Sequence, residues 1–301
     1  MYNSVGAIVV VFLAVLSACG TDGEQATGSY NKAELARLGE EAFYDTLLGR
    51  SDRAQEAVDV LSRLVQLDAD NGIAHFQLGM MHMFRFAQSV IDYHNATQFE
   101  REEILRAQRA LDRAVELVPD DRRIPGFRAA ATYMRGVVEK NARLQELGLE
   151  QLRAAIALYP EFNTFDFIGT VAFVVPPDSP LFAEAMQYVG DPLNAACSPF
   201  TQPTICGNAG KAPHNIEGSL VLFGDLFAKA GDLSRAQGFY RLALADFSSL
   251  GNGKPWRFRH IAEQRLATAA QRVALYKDAD PNNDPPLIGH REEACAVCHY
   301  E

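Results

Sequence analysis

The tightest constraint on what this chain can fold into is a spacing that it uses more than once. Ala107-x3-Leu111-x2-Ala114-x4-Pro119 and Gly148-x3-Leu152-x2-Ala155-x4-Pro160 share one register, and Ala57-x3-Leu61-x2-Leu64, leading into Ala69-Asp70-Asn71, is a looser copy. Positions three and four apart lie on one face of a helix. Small residues on that face let a second helix approach closely, and proline or Asp-Asn ends the helix. A helix pair of this size cannot bury its own apolar face, so several pairs must stack. Between the copies Ala, Leu, Arg, Glu and Gln dominate and no run alternates as a strand does, so the body reads as helical throughout.

The fullest unit runs from Leu220 to Ala236 and on to Tyr240 and Ala243. Counted from Phe223 it resembles the tetratricopeptide repeat. Gly224 stands at the small position, Phe227 at the aromatic one, and Ala236, Tyr240 and Ala243 fall on the second helix, with Gly231-Asp232 as the turn. Leu78-Gly79 and Ile168-Gly169 are weaker first-helix matches. The resemblance implies an all-α, TPR-like helical-repeat superhelix over residues 31–277, with a groove that takes a protein or peptide partner. An irregular Pro-rich insertion at 174–215 breaks the array, and an amphipathic helix from Lys254 to Tyr276 closes it. Beyond it, the Asp-, Asn- and Pro-rich stretch at 278–286 ends helicity and opens a tail that runs to residue 301.

At the other end, Val5 to Leu16 is an apolar run too short to cross a bilayer, and it leads into Leu16-Ser17-Ala18-Cys19-Gly20. This resembles a bacterial lipoprotein signal peptide at 1–18, although Met1 to Ser4 carry no Lys or Arg. The resemblance implies a lipid on Cys19 and a membrane anchor through it. Gly20, where an inner-membrane retention signal places Asp, implies the outer membrane, on its periplasmic or surface face. Residues 19–30, rich in Gly, Thr and Ser, read as a flexible tether.

The tail ends in Cys295-Ala296-Val297-Cys298-His299, the spacing through which a polypeptide attaches one haem c covalently. The two thiols add to the vinyl groups and the histidine supplies a nitrogen to iron. A redox dithiol, half of a zinc site or a plain disulfide are the other readings of such a pair. With lipid on Cys19 and haem on Cys295 and Cys298, the five cysteines leave Cys197 and Cys206 to form a disulfide in an oxidising compartment. The second axial ligand of such a haem falls to His290, or to a scaffold residue such as His214, His260 or Met186. His75, His82 and the run Met80-Met81-His82-Met83 read as helix-packing positions rather than a metal site.

The net charge of −10 lies wholly outside residues 1–18 and argues against nucleic acid as a partner. No Gly-x-Ser-x-Gly elbow, His-Glu-x-x-His or phosphate-binding glycine loop occurs, so an enzyme is not expected. The sequence therefore predicts an envelope lipoprotein that docks a protein partner, another redox protein among the candidates, and presents a haem for electron transfer. The alternative is a haem-free interaction or assembly lipoprotein whose tail cysteines form a disulfide or bind metal.

Overall fold

Capping chemistry sets where the helices begin. Asn71 Oδ1 accepts from the Ala74 amide at 3.0 Å, Asn141 Oδ1 from Leu144 at 3.2 Å and Asp232 Oδ1 from Arg235 at 3.0 Å. Thr97 and Glu100 form a reciprocal capping box. The computed structural model describes residues 30–190, 216–245, 255–278, 280, 283–288 and 297. Its helices are α1 (Lys32–Leu47), α2 (Ala54–Leu67), α3 (Gly72–Ser89), α4 (Gln98–Leu117), α5 (Ile124–Val138), α6 (Ala142–Leu158), α7 (Pro160–Val174), α8 (Pro180–Gly190), α9 (Ile216–Lys229), α10 (Leu233–Ala243) and α11 (Arg259–Lys277). No strand occurs among the described residues, and the fold is all-α.

Consecutive helices from α1 to α8 pack in series, α9 packs on α10, and α11 closes against both. Helices two apart also touch: α1 meets α3, α3 meets α5, and α5 meets α7. The repeated small residues make these approaches possible. A Cβ on Gly39 would lie 2.7 Å from the Leu61 side chain, on Gly79 2.6 Å from Leu111, and on Gly224 2.4 Å from the Tyr240 ring. Leu61, Leu111 and Tyr240 are all fully buried. Each glycine thus receives a large side chain from the following helix. Gly231, with φ of +81°, turns α9 into α10, a conformation costly for a residue with a Cβ.

Three boundaries differ from the sequence expectation. Pro160 does not simply stop a helix; it stands at the first position of α7, where its missing N–H costs nothing, and confines Tyr159 to non-helical backbone. The stretch at 174–215 is not irregular from its start, because α8 occupies 180–190. Ser179 Oγ accepts from the Leu181 amide, and Phe182, Ala185 and Val189 lie on one buried face. Finally, the closing helix begins at Arg259 rather than Lys254.

A buried polar contact joins α5 to α7. Asn163 is fully buried and its Nδ2 donates to the carbonyls of Arg122 at 3.0 Å and Ala155 at 2.7 Å. Its Oδ1 therefore turns toward Gly126, where a Cβ would meet Asn163 Oδ1 at 2.7 Å and Asp166 Oδ2 at 2.1 Å. Neither oxygen has a hydrogen-bond partner. Burial pushes the Asp166 carboxyl well above the usual carboxylate range. A carboxyl shifted in this direction holds its proton to higher pH than an exposed one.

Gly224→Ala is expected to lower stability by about 1–3 kcal/mol, because the Tyr240 ring must move; urea unfolding measures it, and an unchanged midpoint would contradict this packing. An acid whose folded value is raised stabilises below its unfolded value and loses that contribution as pH climbs. Asp166→Asn, which carries a permanent donor, is therefore expected to remove a loss of stability that the wild type shows as pH rises above about 4. Parallel pH profiles for the two proteins would refute the retained proton.

Candidate functional site

Helix α9 is buried on every side: from Ile216 to Lys229 only Ser219 is partly exposed. A helix enclosed all round is normally apolar, yet this one carries Asp225 and Lys229. Asp225 has no solvent exposure. Tyr240 of α10 donates its hydroxyl to Oδ1 at 2.7 Å, and Arg272 of α11 donates to the same oxygen at 2.9 Å. Arg265 Nε lies 3.1 Å away as an ion pair, off the angle of a hydrogen bond. The fourth partner is the backbone of the tail: the Ile288 amide donates to Asp225 Oδ2 at 2.7 Å. Such a carboxylate is tolerated in the interior only because its lone pairs are so well met.

The tail is gripped on its carbonyls too. Arg272 Nη2 donates to Pro286 O at 2.9 Å, Arg265 Nη2 to the same carbonyl at 3.1 Å, and Tyr276 Oη to Pro285 O. Proline has no N–H, so residues 285 and 286 present acceptors only, and donors meet them. Leu287 and Ile288 then insert their side chains into the large core formed by α5–α11. Beside this cluster Lys229 Nζ donates to Ala172 O of α7 at 2.8 Å and lies 5.4 Å from the Phe182 ring centre. Burial pulls the Lys229 ammonium down to about 8, and the Asp284 carboxylate opposes the shift.

Farther along, Val297 is 1% exposed. Trp256, the chain's single tryptophan, donates its indole N–H to Val297 O at 3.1 Å. Val297 lies between the two tail cysteines, so the motif is attached to the body at its centre. Trp256 packs edge-on to Phe258 at 6.3 Å, and His260 follows at 6.5 Å from Phe258.

Cys19, Cys197, Cys206, His214, His290, Cys295, Cys298 and His299 lie outside the described residues. Of the scaffold candidates for a second iron ligand, His260 is exposed at the start of α11, in the aromatic row that holds Val297. Met186 instead packs against the core from α8. His82 Nδ1 is 2.9 Å from the fully buried Glu103 of α4, which Arg85 and Arg106 also approach at 3.5 Å; Met81 is fully buried. His75 contacts the Ala69 carbonyl at 3.1 Å. No group of three or more His, Cys, Asp or Glu residues suited to a metal occurs among the described residues.

Reasoning from the sequence missed Asp225, Lys229, Arg265 and Arg272. The signal was present: two charges in the run Leu220 to Lys229, too apolar to leave any face in water. No protein-family model, curated protein or solved structure matches the chain.

Lys229 supplies a test of this enclosure. The unfolded chain holds the lysine proton more tightly than the folded one, so stability increases as pH rises from about 8 toward the unfolded value. Between about pH 7.5 and 9.5 the wild type is expected to gain about 1–2 kcal/mol relative to Lys229→Met. Above about pH 10 the buried Tyr240 and Tyr276 phenols, held above their usual range, act in the opposite direction. Urea midpoints that move in parallel would show that the ammonium is hydrated.

Proposed function

We propose that this protein is a lipid-anchored lipoprotein of the cell envelope, in which a TPR-like scaffold docks a protein partner and the C-terminal tail carries one covalent haem c for electron transfer. The observation that carries the proposal is the Cys295-x-x-Cys298-His299 motif held to the body through Val297. The donor set of two thiols and an imidazole suits haem c by its chemistry. Bound there, the haem supplies one-electron transfer. The residues of the body hold the motif in place: Trp256 fixes Val297, and Asp225, Arg265 and Arg272 fix the chain upstream of it. A tail held at two points confines the attached group to one region of the surface, which favours transfer to a partner docked on the same scaffold.

The scaffold reading rests on the serial helix contacts and on Gly39, Gly79 and Gly224, each facing a large residue of the next helix. The first helices of successive pairs also share a row of rings. Phe76 of α3 stands 5.6 Å from Phe127 of α5, and Phe127 stands 5.6 Å from Phe162 of α7. These half-buried rings give α3, α5 and α7 a shared apolar strip of the kind that takes a partner segment. The chain acts by binding and electron transfer rather than as an enzyme.

Coexpression with cytochrome maturation machinery is expected to yield a protein with Soret absorbance and an intact mass raised by roughly 600 Da. Cys295→Ala with Cys298→Ala is expected to lose both. A colourless protein whose mass shows only a disulfide would leave the haem-free adaptor as the function.

A further inference from the structure

The contacts that dock residues 284–288 differ in kind from those that pack the helices. Five side chains of α9–α11 meet the segment: Asp225, Arg265, Arg272 and Tyr276 through its backbone, and Lys229 through the charge of Asp284. Two carbonyls and one amide are read, in the order Pro285, Pro286, Ile288, while Leu287 and Ile288 are 6% and 4% exposed. This is recognition of an extended chain by its main chain plus apolar side chains, as a receptor holds a peptide. The groove walls carry charges. Once the segment leaves, Asp225 Oδ1 keeps Arg265, Arg272 and Tyr240 as partners, Oδ2 gives up the Ile288 amide, and the guanidinium edges that faced Pro286 and the Tyr276 hydroxyl that faced Pro285 are free to take water. An empty groove therefore offers water charged and hydroxyl groups beside the apolar floor that Leu287 and Ile288 cover.

We propose that α9, α10 and α11 form a peptide receptor specific for an extended Pro-Pro-apolar-apolar segment, that the chain's own residues 284–288 occupy it in cis, and that leaving it releases the C-terminal tail. The occupied groove is an autoinhibitory contact toward any other segment of that chemistry. It is independent of whether the tail carries haem, because every contact that defines it lies upstream of residue 289.

Ile288→Pro separates the parts, since it removes the amide that Asp225 accepts while altering only the occupant. Loss of a hydrogen bond to a charged group shifts such an equilibrium roughly tenfold to a hundredfold. The probe is a labelled synthetic peptide of residues 283–290, added to the full chain at up to about 1 mM, the range of effective concentration a short tether gives. The Ile288→Pro chain is expected to bind the peptide at least about tenfold more tightly than the wild type, whose groove is filled. Amide exchange across residues 284–298 is expected to rise in the same variant. An unlabelled peptide bearing Ile288→Pro is expected not to compete, a control that leaves the protein untouched. Equal binding to both chains, or no binding to the variant, would overturn the receptor. A wild-type dimer that dissociates in Ile288→Pro would show a second copy's tail in the groove and overturn the cis arrangement.

Discussion

A carboxylate with no exposure to water has to be surrounded by donors, and Asp225 gathers its donors from every element at the carboxyl end of the fold. Tyr240 comes from α10, Arg265 and Arg272 from α11, and the Ile288 amide from the tail. One side chain thereby determines how the last hairpin, the closing helix and the tail sit together. The placement of residues 285–288 is a consequence: proline offers no N–H, so the carbonyls of Pro285 and Pro286 are met by donors from α11 and the Ile288 amide by Asp225. Val297 has its own attachment, the indole N–H of Trp256.

The rest of the body depends on volume rather than charge. Where Gly39, Gly79 and Gly224 lack a Cβ, Leu61, Leu111 and Tyr240 fill the space, and the same arrangement recurs along the chain. Gly224 and Asp225 are neighbours, so the close approach of α10 that brings Tyr240 over the glycine also delivers its hydroxyl to the carboxylate. Packing and electrostatics meet at one point of α9. At the α5–α7 contact around Gly126 no cation meets the Asp166 carboxyl among the described residues, and burial raises it instead.

Much of this architecture was legible from residue spacing. Periodicity of three and four marked the helices, and Gly231-Asp232 marked a turn that does have a left-handed glycine and a capping aspartate. Within 174–215 the prolines suggest irregular chain, yet Ser179 and the spacing of Phe182, Ala185 and Val189 place a helix at 180–190. The candidate site was legible only in part. Cysteine spacing is the ground on which haem attachment is proposed, while Trp256 and the charges that meet residues 285–288 carry no local pattern, since their partners lie 41 and 63 residues away in sequence.

By itself the sequence determined the all-helical character of the body, several of its turns and caps, and the close-approach glycines. Each of these follows from neighbours within a few positions, where backbone geometry dictates which residues share a face or a turn. Only the tertiary structure decided that Asp225 is buried, that two arginines of α11 turn toward it, and that side chains of α11 meet the carbonyls of the Pro-Pro segment. Those outcomes hinge on which charges desolvate together, a property of three-dimensional enclosure that no short window of residues contains.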